Sequence, residues 1–169
     1  MDRSDRVLIG FFLATPLLGA YAVSSSLITM VRFIPDTLSR ILVARKYYSL
    51  RIPKNSKVTS SILIAAVILL AVELARIAIA LSLGSEWLIP YTVCVFIALQ
   101  ELLRGWYQIV ANRLIAQDSS AQVHKVTVLI PIITLLPCFL LIHRYGLISV
   151  PITFSCGYLI GLWALERSK

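Results

Sequence analysis

Residues 95–117, VFIALQELLRGWYQIVANRLIAQ, constrain the chain most: they form an apolar run with a polar stripe through it. Glu101, Arg104, Gln108 and Asn112 follow one another at spacings of three, four and four, which puts them on one face of a helix. Gln100 lies one turn before Arg104, and Phe96, Leu99, Leu102, Leu103 and Ile109 take the opposite face. A charge held inside hydrocarbon costs about 3 kcal/mol or more, so the stripe has to face other helices or a wet cavity. It either ties helices together through neutralised charge pairs or lines a path for a polar substrate.

The rest of the chain places that helix in a bilayer. Of 169 residues, 59% are hydrophobic and 14% charged, with a mean hydropathy of +0.87. A soluble domain has about half and about a quarter. Only helices and closed barrels satisfy their backbone in lipid, and these apolar runs are continuous rather than alternating. The expected fold is therefore all-α: a polytopic transmembrane helix bundle of about five full spans plus an N-terminal partial helix, one membrane domain over residues 1–169. The net charge of +8 does not point to nucleic acid, because the basic residues gather in particular loops, as topology requires. Cys94, Cys138 and Cys156 all lie in apolar runs without ligand spacing and read as small core residues.

Residues 7–14 are too few to cross a bilayer, and Thr15, Pro16 and Gly19 interrupt them. They are either a signal peptide, with Arg3, Arg6 and an Ala20-Tyr21-Ala22 cleavage site, or the end of a longer helix. Against the first reading, Asp2 and Asp5 cancel the basic start. Residues 20–44 form the first full span. Arg32, Asp36 and Arg40 stack on one face of it at four-residue spacing, and Pro35 should kink it. Residues 45–57 carry Arg45, Lys46, Arg51, Lys54 and Lys57 without an acid, a cytoplasmic loop by the positive-inside rule. Residues 59–83 form the second span, with Glu73 and Arg76 three apart, and residues 84–87 turn outside. The polar-striped third span enters near residues 88–90 and leaves near Asn112. Residues 113–125 are a polar cytoplasmic return. Residues 126–142, bent at Pro131 and Pro137, form the fourth span. His143 to Gly146 is a tight outer turn, and residues 147–165 form the fifth span with a Gly157-x-x-x-Gly161 face. The C-terminus is then cytoplasmic.

Catalytic signatures are missing from the sequence. His124 and His143 fall at opposite membrane faces, so no metal set forms with the cysteines. No Gly-x-Ser-x-Gly, P-loop or Gly-x-Gly-x-x-Gly occurs. Each carboxylate in a span has an arginine nearby, which suits ion pairing better than proton transfer. Neither an enzyme nor a cofactor is expected.

The run DRVLIGFFLATPLLGAYAVSSSLITMVRFIPDTLSRILV resembles the start of the second half of polysaccharide (O-antigen type) flippases, of the multidrug/oligosaccharidyl-lipid/polysaccharide exporter superfamily. Asp5, Arg6 and Gly10 match an Asp-Arg-x-x-x-Gly ending, Gly19 and Tyr21 a Gly-x-Tyr turn, and Pro35 a helix end near proline. LSLGSEW resembles the family's Gly-x-x-Phe turn, with Trp87 in the aromatic place. LLRGWYQIVANRLIAQD resembles its tenth helix, and HRYGLISVPITFSCGYLIGLWAL its Tyr-Gly-x-x-Gly turn and last helix. Ser149 and Val150 depart from the small Gly-Ala residues usual there. By this resemblance the chain begins within the family's seventh helix and supplies one of two bundles that flank a substrate cavity.

The resemblance implies the C-terminal half or a fragment of a flippase exporting lipid-linked oligosaccharide or polysaccharide precursors, multi-pass in the inner (plasma) membrane. Its substrate would be a lipid-linked glycan, and its partner a separately encoded N-terminal half or a second copy. Arg32, Arg40, Arg76 and Arg104 are the cations for a pyrophosphate, and Gln100, Gln108 and Asn112 the partners for sugar hydroxyls. Asp36, Glu73 and Glu101 complete the candidate cavity set. The alternatives are a non-transporting membrane interaction or assembly subunit, and half of a small-molecule exporter of the same superfamily.

Overall fold

The computed structural model describes residues 4–12, 15–33, 37, 57–115 and 120–167. Every regular element among them is helical: α1 (Ser4–Phe12), α2 (Thr15–Ile28), α3 (Lys57–Ser82), α4 (Tyr91–Ile115), α5 (Ser120–Tyr145) and α6 (Ser149–Arg167). Short 3₁₀ turns lie at Thr29–Arg32, Ser85–Trp87 and Gly146–Ile148. Two stretches are long and apolar enough to cross a bilayer: Tyr91–Asn112, within α4, and Ser120–Arg167, which runs through α5 and α6.

Local chemistry explains where these elements start and stop. α1 is the short helix expected at the start, and residues 13–14 lie outside the described set. α2 begins earlier than the expected span, at Thr15, and tightens into a 3₁₀ turn over Thr29–Arg32. Pro35, where a kink is expected, lies outside the described residues. The remainder of that span, including Asp36 and Arg40, and the basic segment before Lys57 lie outside the described residues.

α3 ends where the Leu83 N–H bonds back to the Ile79 carbonyl (2.9 Å) and Gly84 takes φ +98°. That φ lies in the region side chains avoid, so the turn calls for glycine, whereas the Glu86 carboxylate beside it could swing away from a larger residue. Pro90 then opens α4, its carbonyl accepting from Val93 N (3.0 Å) and Cys94 N (3.3 Å).

Within the expected polar return over residues 113–125, α4 runs on to Ile115 and α5 already starts at Ser120. Ala121, Gln122 and Lys125 are sound helix formers, and Val123 is buried, so the first turn of α5 has an anchor. Both prolines of α5 stay inside one helix. Thr134, between them, donates from Oγ1 to the carbonyls of Ile130 (2.9 Å) and Pro131 (3.2 Å). Gly146, at φ +61°, makes the turn into α6, and Ser149 Oγ closes it on the Gly146 carbonyl (2.7 Å).

α6 packs between α4 and α5. Its Gly157-x-x-x-Gly161 face allows this: a methyl at Gly157 would fall on Thr134, and one at Gly161 would lie 2.7 Å from Ile130 Cδ1 and 3.2 Å from the Tyr107 ring. Tyr107 of α4 ties the three helices together. Its ring lies 5.9 Å from that of Tyr158, and its hydroxyl lies 2.8 Å from Thr127 Oγ1. On the other side of α4 lie α2, its 3₁₀ turn and α3. α1 docks on α2, α5 and α6, with Phe12 edge-on to Phe139 at 4.9 Å. α4 is thus the helix on which both groups meet, and half of its candidate membrane stretch is buried.

Candidate functional site

The polar stripe of α4 lies along the seam with α2. Gln100 and Glu101 are buried, Arg104 is largely buried, Gln108 is half-buried, and Asn112 is exposed. The stripe is therefore sealed at its upper end and opens towards the C-terminal end of α4. Across it, Arg32 Nη2 donates to Gln108 Oε1 at 2.7 Å. Arg104 Nη1 lies 3.6 Å from Glu101 Oε1, with both side chains about nine-tenths buried. Taking such a pair out of water is itself costly, and removing one member leaves the other charge buried.

A second contact fixes how α2 and α4 run. A Cβ at Gly19 would sit 3.1 Å from the Trp87 ring, just before α4 begins, while Arg32 meets Gln108 far down α4. Two such contacts, taken in the same order, make the helices parallel. Ile28, Ser24 and Ser25 are all buried.

Three polar atoms of the seam, Ser24 Oγ, Gln100 Oε1 and Arg32 Nε, are buried with no hydrogen-bond partner among the described residues. Burying such groups unpaired costs about 1–3 kcal/mol each. Ser24 was not singled out by the sequence. Its only signal is the eight-residue step to Arg32, inside an ordinary run of three serines. Chemically, the seam offers two guanidiniums, two amides and hydroxyls, a donor-rich set able to meet anionic and hydroxylated groups.

The remaining candidates do not join this seam. Arg76, on α3, donates from Nη1 to the Ile89 carbonyl (2.8 Å) and lies 5.5 Å from the Tyr91 ring centroid. The expected pairing of Arg76 with Glu73 is replaced by this contact, and Glu73 is exposed. The carbonyls before Pro90 have no helical donors of their own, which makes Ile89 a ready acceptor for the arginine. Asp36 and Arg40 lie outside the described residues. Among the described residues no group of three or more His, Cys, Asp or Glu side chains could hold a metal. Comparison with protein-family models, curated proteins and solved structures finds no match to this chain.

Proposed function

We propose that the chain is the C-terminal lobe, or a fragment of it, of a multi-pass inner-membrane flippase that exports lipid-linked oligosaccharide or polysaccharide precursors. In this reading α2 with its continuation, α3, α4, α5 and α6 are five spans, and the C-terminus is cytoplasmic. The observation that carries the reading is the graded polar seam on α4, closed at Gln100 and opening past Gln108, with Arg32 drawn in from α2. Buried polar groups within apolar helices are costly, and a lobe that guides a charged headgroup while lipid holds its tail needs such a seam. Arg32 and Arg104 supply the charge for a pyrophosphate, while Gln100, Gln108 and the exposed Asn112 meet sugar hydroxyls. The resemblance of residues 5–43 to the family's second half supports the same assignment.

A facing lobe completes the transport cycle, because alternating access rocks two bundles around a site between them. The partner is a separately encoded first half or a second copy. The test is made in the source cell. Loss of the chain should accumulate lipid-linked glycan in the inner leaflet, and a copy carrying Arg32→Ala and Gln108→Ala together should not relieve it. Purified alone in liposomes, the chain should flip no fluorescent lipid-linked oligosaccharide. An unchanged leaflet distribution in cells lacking the chain refutes the transport reading.

A further inference from the structure

α3 carries a charge where a lipid-facing helix has none. Glu73 is exposed, and Leu69, Leu70, Leu74 and Ile77, within one turn on either side of it, are exposed too. Buried Val72, Ala75 and Ile79 turn the other way, into the bundle. α3 has 26 residues, a length of ~39 Å, so it can cross a bilayer. Glu73 lies nine residues before Ser82 at its end, or ~14 Å along the axis, close to the middle of a hydrocarbon core about 30 Å thick.

Arg76 sits one turn nearer the end and resolves its charge differently. Its long side chain reaches the Ile89 carbonyl and the Tyr91 ring at the helix-end level. The shorter glutamate cannot climb that distance. No hydrogen bond or ion pair reaches its carboxylate among the described residues.

We propose that this face of α3 is an interface for a transmembrane helix of another chain that carries an arginine or lysine at mid-depth. The proposal goes beyond the transport reading and shares with it only the spanning of α3. Charge complementarity chooses the partner: in hydrocarbon a carboxylate is tolerated when a cation lies beside it. Leu70, Leu74 and Ile77 supply the apolar packing around the pair. A second copy does not fit. Two copies related by a twofold axis along the bilayer normal would set Glu73 against Glu73 at one depth, where like charges oppose each other.

The test uses the full chain in phosphatidylcholine vesicles, labelled with a donor dye at its C-terminus. The probe is an acceptor-labelled leucine–alanine transmembrane peptide with one central arginine, compared with the same peptide without it. The arginine peptide should associate about tenfold more tightly, as expected for one good polar contact between helices in lipid. Glu73→Leu should erase the difference, and Glu73→Lys should transfer the preference to a peptide with a central glutamate. Equal binding of both peptides, or a preference that survives Glu73→Leu, overturns the proposal. Energy transfer between two copies that disappears with Glu73→Leu also overturns it, giving the face to self-association. Flotation with the vesicles reads insertion separately. A chain that does not insert removes the spanning reading and this proposal together, whereas insertion without charge-dependent association removes this proposal alone.

Discussion

Gly157→Ala should destabilise the bundle, and the same change should stabilise it once Thr134 has lost its methyl group. The new Cβ at Gly157 falls on Thr134 Cγ2, at a point where α5 and α6 touch. Thr134 is fully buried and cannot swing that methyl away cheaply, because its Oγ1 is bonded to the Ile130 and Pro131 carbonyls. β-Branched side chains in helices have few χ1 alternatives in any case. Overpacking a tight contact costs about 1–3 kcal/mol, and replacing a helical glycine by alanine returns about 0.5–1 kcal/mol. The net expectation is a loss of about 1–2 kcal/mol in the wild-type background. Thr134→Ser keeps the hydroxyl and its bonds while removing Cγ2. In that background only the propensity gain remains, so Gly157→Ala should add about 0.5–1 kcal/mol. Equilibrium unfolding in mixed micelles with a rising fraction of denaturing detergent, followed by tryptophan fluorescence, measures all four corners of the cycle. A Gly157→Ala effect of the same sign and size in both backgrounds refutes the close approach of α5 and α6.

Arg104→Ala should cost about 3–5 kcal/mol by the same unfolding measurement, because it strands the buried Glu101 charge; Arg104→Ala with Glu101→Ala should recover most of that loss, and a fully additive double variant would show the two are uncoupled. Cys156 is exposed on α6 whereas Cys94 and Cys138 are buried. In intact membranes an impermeant maleimide should label none of the three, and in detergent Cys156 should react first; rapid labelling of Cys156 in membranes would put that face in water instead of lipid. Asn55→Cys should be labelled only from the cytoplasmic side and Ser85→Cys only from outside, and the reverse pattern would invert the topology.

The parts of the fold legible in the sequence are those written in local spacing. The three-four-four step from Glu101 to Asn112 gave the face of α4 that becomes the seam, and Gly157 and Gly161 gave the close approach of α6. What spacing could not give was tertiary. The partner of Gln108 is Arg32, 76 residues away, and no local rule couples the two. Arg76 looked paired with Glu73 because they are three apart. A backbone carbonyl left open by the turn at Pro90 is the stronger claimant, and carbonyls leave no mark in a residue alphabet. The helical start of α5 leaves little trace in the sequence, because its anchor, Val123, is a single apolar residue among polar ones.

The path of the chain explains why the seam forms on α2 rather than on the sequence neighbour α3. α3 and α4 are joined by a short turn and so run antiparallel, and the carbonyl that Arg76 takes is at that turn. α2 and α4 are parallel, with α3 making the return between them. The Arg32–Gln108 bond joins this parallel pair near the far end of α4. Gln108→Leu, which removes the acceptor for Arg32, should therefore loosen α2 from α4 before it disturbs the α4–α6 contact.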